Sequence, residues 1–179
     1  MKNLLSTLCL GAALVFGTPA LVHAQRATMD TPAAPALNRA DQRIAADLAR
    51  ANIAEIEAAK LAVSKTKNAQ VKAYAQQMID DHTRALGDVK RLAEDKGVKL
   101  PLEADARHKA MVKALGKLDG DKFDKAYLAQ AGVRDHTDVH KALTRHHQRA
   151  KDGDLKALVA KMLPTVEQHL HHATEMQAK

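Results

Sequence analysis

The sequence predicts an all-α protein, a four-helix bundle with a short helical connection between helices two and three. Three observations carry that prediction. Strong helix formers such as Ala, Leu, Lys and Gln are abundant while β-branched residues are few, which disfavours strands. Apolar residues recur at alternating three- and four-residue steps over four long segments, the pattern of packed helices. Those segments are separated by cap residues, glycines and prolines at spacings that leave rods of similar length. Composition agrees: of 179 residues, 46% are hydrophobic and 27% charged, too apolar a balance for a disordered chain. Only 2% are aromatic and Trp is absent, which removes aromatic cofactor pockets and base-stacking platforms.

The elements follow in order. Residues 1–24 have the pattern of a cleaved signal peptide: Lys2, an apolar run from Leu4 to Phe16, then Val22-His23-Ala24 before the cut. The run is too short to span ~30 Å of hydrocarbon comfortably, and Gly17 and Pro19 break it. Cys9 leaves with this segment, so the exported chain has no disulfide and depends on packing. Residues 25–38, with Pro32 and Pro35, form a flexible leader, and residues 39–178 form the bundle domain. Helix one runs from Arg39 to Lys67. Asn68 caps helix two, which Gly97 ends after Lys96. The connection is a helix over Glu103 to Leu118, closed by Asp119-Gly120. Helix three spans Asp121 to Lys151, and Asp152-Gly153-Asp154 starts the last helix, which Pro164 should kink or deprive of a carbonyl partner.

The 4-3 stepping assigns an inward seam to each rod. Helix one presents Ile44, Leu48, Ala51, Glu55, Ala58 and Ala62; helix two presents Val71, Ala75, Met78, His82, Ala85, Val89 and Leu92. Helix three presents Ala126, Ala129, Val133, His136, His140, Leu143 and His147; helix four presents Leu155, Val159, Met162, Val166, His169, Ala173 and Met176. At 1.5 Å per residue, Glu55, His82, His136 and His169 all fall ~18–26 Å from their hairpin ends, near the middle of ~40 Å rods. One carboxylate and three imidazoles meeting in an apolar core are costly unless they satisfy one another or bind something. That donor set suits Zn, Cu, Ni or Fe. His140, one turn beyond His136, is a candidate fourth imidazole. Asp80, Asp81 and Asp135 read as exposed charges, one of which could orient a ring, and His108, His146, His147, His171 and His172 read as solvated.

Other classes find no residues to stand on. No cysteine survives export, and no Gly-x-Ser-x-Gly elbow or glycine-rich phosphate loop occurs. An enzyme is not indicated. The excess of 28 Lys and Arg over 21 Asp and Glu gives +7, a basic surface able to touch anionic lipid or polymer peripherally. The charges interleave as on a solvated helix face, and an exported, aromatic-poor chain does not suit nucleic acid.

Several local patterns carry a resemblance. They are Glu55-Ile56-Glu57 with Lys60-Leu61-Ala62, Val71-Lys72-Ala73-Tyr74-Ala75, and Met78-Ile79-Asp80-Asp81-His82-Thr83. Gly97 to Pro101, Phe123-Asp124 with Tyr127-Leu128, Asp135-His136, Leu155-Lys156, Leu163-Pro164 and His169-Leu170 complete the set. Together they resemble the exported bacterial family catalogued as domain of unknown function 4142, which is placed among the ferritin-like folds. The resemblance covers residues 38–178. It implies a ferritin-like bundle in the periplasm or cell envelope and no established activity. The Glu-x-x-His units of di-iron ferritin-like proteins are missing, because Ile79, Val133 and Val166 stand three residues before the histidines. Two functions remain open. One is a metal-binding protein that uses Glu55, His82, His136 and His169, with His140 as a further candidate, for metal buffering or stress tolerance. The other is a non-catalytic envelope interaction or structural module with a hydrogen-bonded polar core and no metal.

Overall fold

The structure, a computed structural model, describes residues 36–178; the signal segment 1–24 and the leader up to residue 35 lie outside the described residues. Every regular element among the described residues is helical: α1 (Arg39–Lys65), α2 (Ala69–Asp95), α3 (Ala106–Leu115), α4 (Gly120–Tyr127), a π-helical segment (Leu128–Asp135), α5 (His136–Arg149) and α6 (Gly153–Gln177). The segments from Gly120 to Arg149 join end to end into one rod. No helix among the described residues is long and apolar enough to cross a membrane.

Local chemistry sets most boundaries. The Asn38 side chain accepts from the Ala40 and Asp41 amides, and Asn68 accepts from Gln70 and Val71, so both caps satisfy first-turn donors. Gly97 and Gly120 take positive φ values of 66° and 54°, which lets the chain turn out of α2 and into α4. Asp105 caps α3 through the His108 amide, so this helix starts later than the sequence pattern places it. Asp152 caps α6, and α6 continues as helix through Pro164 to Gln177.

The third rod departs from the expected seam. Ala129 is exposed, and the buried positions are Phe123, Tyr127, Ala131 and Asp135 beside Asp124, Leu128, Gly132 and His136. These advance by four throughout. A straight α-helix stepping by four drifts ~40° per step, and such a stripe would wind off the core. The wider turn of the π segment absorbs the drift and keeps the stripe facing inward.

The core has two apolar halves. One gathers Ala58, Ala62, Met78, Leu115, Phe123 and Ala173 at the end where α1 turns into α2. The other gathers Leu37, Ile44, Leu48, Val89, Leu155 and Val159 at the end where α5 turns into α6. Membership in these halves fixes direction: α2 and the α4–α5 rod run parallel, and the stretch containing α3 crosses the length of the bundle between them. Ion pairs close both ends, Lys65 to Asp119 at 2.7 Å and Lys96 to Asp152 at 2.9 Å. Asp41, 0% exposed, accepts from the Lys151 and Asp152 amides and so fastens α1 to the α5–α6 turn.

Gly132 lies where the π segment meets α6; a Cβ there would stand 2.9 Å from the Ala173 Cβ. Substitution Gly132→Val should therefore destabilise the fold by about 1–3 kcal/mol in urea or thermal unfolding. Gly87, with open space around it, serves as the control: Gly87→Ala should stabilise α2 slightly.

Candidate metal centre

Between the apolar halves lies a single polar layer: Asn52 and Glu55 from α1, His82 from α2, His136 at the junction of the π segment and α5, and His169 from α6. All five are buried, with His136 and His169 only 1% exposed. The rings of His82, His136 and His169 form a triangle with centroids 5.3–5.6 Å apart. Each ring brings one nitrogen within 4.8 Å of the other two.

Hydrogen bonding decides which nitrogens those are free to be. His82 Nδ1 lies 3.0 Å from Asn52 Oδ1, whose orientation is fixed because its Nδ2 donates to the Leu48 carbonyl at 2.7 Å. His136 Nδ1 lies 2.8 Å from the Ala131 carbonyl, and His169 Nε2 lies 2.9 Å from Asp81 Oδ2. Every partner is an acceptor, so each of these nitrogens carries a proton and donates. In a neutral ring the remaining nitrogen then holds a bare lone pair. His82 Nε2, His136 Nε2 and His169 Nδ1 are those atoms, and none has a partner. An amide, a backbone carbonyl and a carboxylate thus orient three imidazoles the way acceptors behind metal-bound histidines do.

Electrostatics keep the rings neutral. Burial pushes His82 well below the usual imidazole range, and its two neighbours of like charge add to this. Burial brings His136 down to about 4 against the upward pull of its carbonyl bond, and lowers His169 although Asp81 opposes it. Burial also raises the Glu55 carboxyl well above its ordinary range, with Asp135 adding to the rise and Arg107 opposing it. For Asp81 the upward push of burial is outweighed by the His169 and Arg84 hydrogen bonds, so it stays ionised.

The structure brings His82, His136 and His169 together at one point. Glu55 is in the same layer, its Oε1 3.8 Å from His136 Nδ1. It does not join the triad's group of donor atoms, and neither does His140, which is half-buried one turn further along α5. His108, expected in solvent, is buried instead: it bonds Asp105 at 2.6 Å and sits 3.6 Å from Asp135, which Arg107 also reaches at 3.2 Å. Asn52 and the Ala131 carbonyl escaped the sequence reading. The first is signalled only by an Asn one turn before Glu55 in an Ala-rich stripe; the second depends on the π turn.

The chain matches the model of a domain of unknown function, DUF4142, over residues 26–176, and it belongs to that family. No curated protein and no solved structure matches it.

The protein without metal should lose stability on acidification. Below about pH 6.5 the unfolded imidazoles bind protons that the folded ones refuse, so for them stability rises with pH. Glu55 and Asp135 act oppositely, because their folded carboxyls keep protons that the unfolded chain releases. His146 is lowered by burial as well, so four imidazoles outweigh two carboxyls. The unfolding free energy should fall between pH 7 and pH 5 by on the order of 1 kcal/mol per pH unit, lowering the unfolding midpoint with it, and Glu55→Gln should steepen the fall. A flat or rising midpoint contradicts this.

Proposed function

We propose that this is an exported periplasmic or envelope protein of ferritin-like bundle architecture that holds one transition-metal ion, for metal buffering or stress tolerance. His82 Nε2, His136 Nε2 and His169 Nδ1 bind the ion, and Glu55 stands beside them. The observation that carries this reading is a triangle of three buried imidazoles that each bring a nitrogen within 4.8 Å of the other two and each hold one nitrogen without a partner. An unsatisfied buried acceptor costs about 1–3 kcal/mol. A purely structural core gains nothing from three such atoms in one layer, whereas a bound ion satisfies all of them at once. Tetrahedral bonds of ~2.05 Å to nitrogen set donors ~3.4 Å apart, so the rings close by at most ~1.4 Å on loading. Imidazole donors suit Zn, Cu, Ni or Fe and argue against Ca or Mg.

Support for the ferritin-like arrangement is the single long crossover between parallel rods, with inward groups at mid-height on facing helices. Export rests on the signal pattern of residues 1–24. Titration of the purified protein with Zn, Cu, Ni and Fe(II) should give one tight equivalent per chain for at least one of these ions. The His82→Ala, His136→Ala double variant should lose it; where that variant does not fold by circular dichroism, His169→Gln serves. Stability should rise by about 2.7 kcal/mol at a free-ion concentration one hundred times Kd. Equal stoichiometry and affinity in variant and wild type, or a melting temperature indifferent to all four ions, contradicts the metal site and leaves the structural module.

A further inference from the structure

Three imidazoles do not fill the coordination sphere of any of these ions, and the space beside them shows what completes it. A cavity of about 20 Å3 lies against the triad, room enough for one water-sized body. His82 and His136, the two rings of the triad with a bare Nε2, form one wall, and Glu55 and Asn52 form the polar edge. The rest is aliphatic, from residues such as Leu48, Val139 and Leu143. Among the described residues, no other His, Cys, Asp or Glu brings a donor atom into the triad's group. A closed structural site would supply a fourth protein ligand; this one supplies a small hole with a carboxyl at its rim.

The cavity also lies next to a surface groove. Asn52, His82, Met162 and Val166 line it on one side, and the same four residues line the floor of a groove of about 760 Å3 between α2 and α6. The groove's mouth is held by exposed ion pairs, Lys161 to Asp88 at 2.9 Å across the two helices and Arg84 to Asp81 within α2. Gly87 faces it without any neighbour that a Cβ would meet.

We infer that the ion keeps one coordination position open toward this cavity, where it binds a water or hydroxide, or an anion of one or two atoms, beside Glu55. This rests on the metal reading above and adds the class of exogenous ligand. The Glu55 carboxyl supplies the hydrogen-bonding group for that ligand, and the aliphatic walls set its size. Larger anions have no room without displacing Leu48 or Leu143.

The test uses the cobalt(II)-loaded protein, whose visible d–d absorption reports coordination number, with cyanide as the probe and bound cobalt measured before and after. Cyanide should change the spectrum saturably at one equivalent while cobalt stays at one per chain. Ala51→Leu, which fills the cavity from a half-buried position on α1, should load cobalt equally and lose the response at least tenfold; Val139→Ile is the alternative where Ala51→Leu fails to fold. A fully loaded wild type whose spectrum ignores cyanide, or a filled variant that responds as the wild type does, overturns the open position and leaves the metal site standing. A wild type that does not load cobalt or any other of the ions overturns both.

Discussion

Neutral imidazoles in an apolar interior impose a strict accounting on their two nitrogens. One carries a proton and must donate; the other carries a lone pair and must accept, and burial leaves few partners for either. Here three rings meet that demand on the donor side only. Asn52, the Ala131 carbonyl and Asp81 each take one N–H, which fixes tautomer and ring orientation together. The lone pairs then have no freedom to seek partners of their own, and the three rings that hold them lie in one buried triangle. Mutual solution is impossible, because no two bare acceptors can bond. An electron-pair acceptor placed among them satisfies the layer, and a cation does so without opening the core.

The rest of the architecture serves that layer. Apolar clusters above and below exclude water and lock the helices at both ends, so the polar groups cannot relax outward. The π segment ends where His136 begins and delivers both the ring and the carbonyl that orients it. Its neighbour Asp135 is held by Arg107 and His108 from the crossing helix, which ties the connection to the polar layer through one residue. Gly132 lets this segment lie close enough to α6 for His136 and His169 to share a point.

Much of this is written in the sequence, unevenly. The seams of α2 and α6 follow ordinary 3.6-residue winding, so Val71, Met78, His82, Val166 and His169 could be placed inside from spacing alone. The caps at Asn68 and Asp152 and the exit at Gly97 are equally local and equally legible. The third rod was not, because its stripe of Phe123, Tyr127, Ala131 and Asp135 steps by four and only a non-α turn keeps it inside. Depth along the bundle located His136 even though the seam leading to it was misassigned. His108 looked like a surface residue because its burial depends on α3 packing onto Asp135, a contact between positions far apart in the chain.

Convergence of three bare nitrogens is a statement about protons, and long-range nitrogen–proton correlation NMR of the imidazoles reads protons directly. In the metal-free protein at pH 7, His82 and His136 should appear as neutral Nδ1–H tautomers and His169 as the neutral Nε2–H tautomer, with the three bare nitrogens shifting together when an ion is added. Protonated rings, or the opposite tautomer at any of the three, would mean that the lone pairs do not meet, and the metal centre would fall with them.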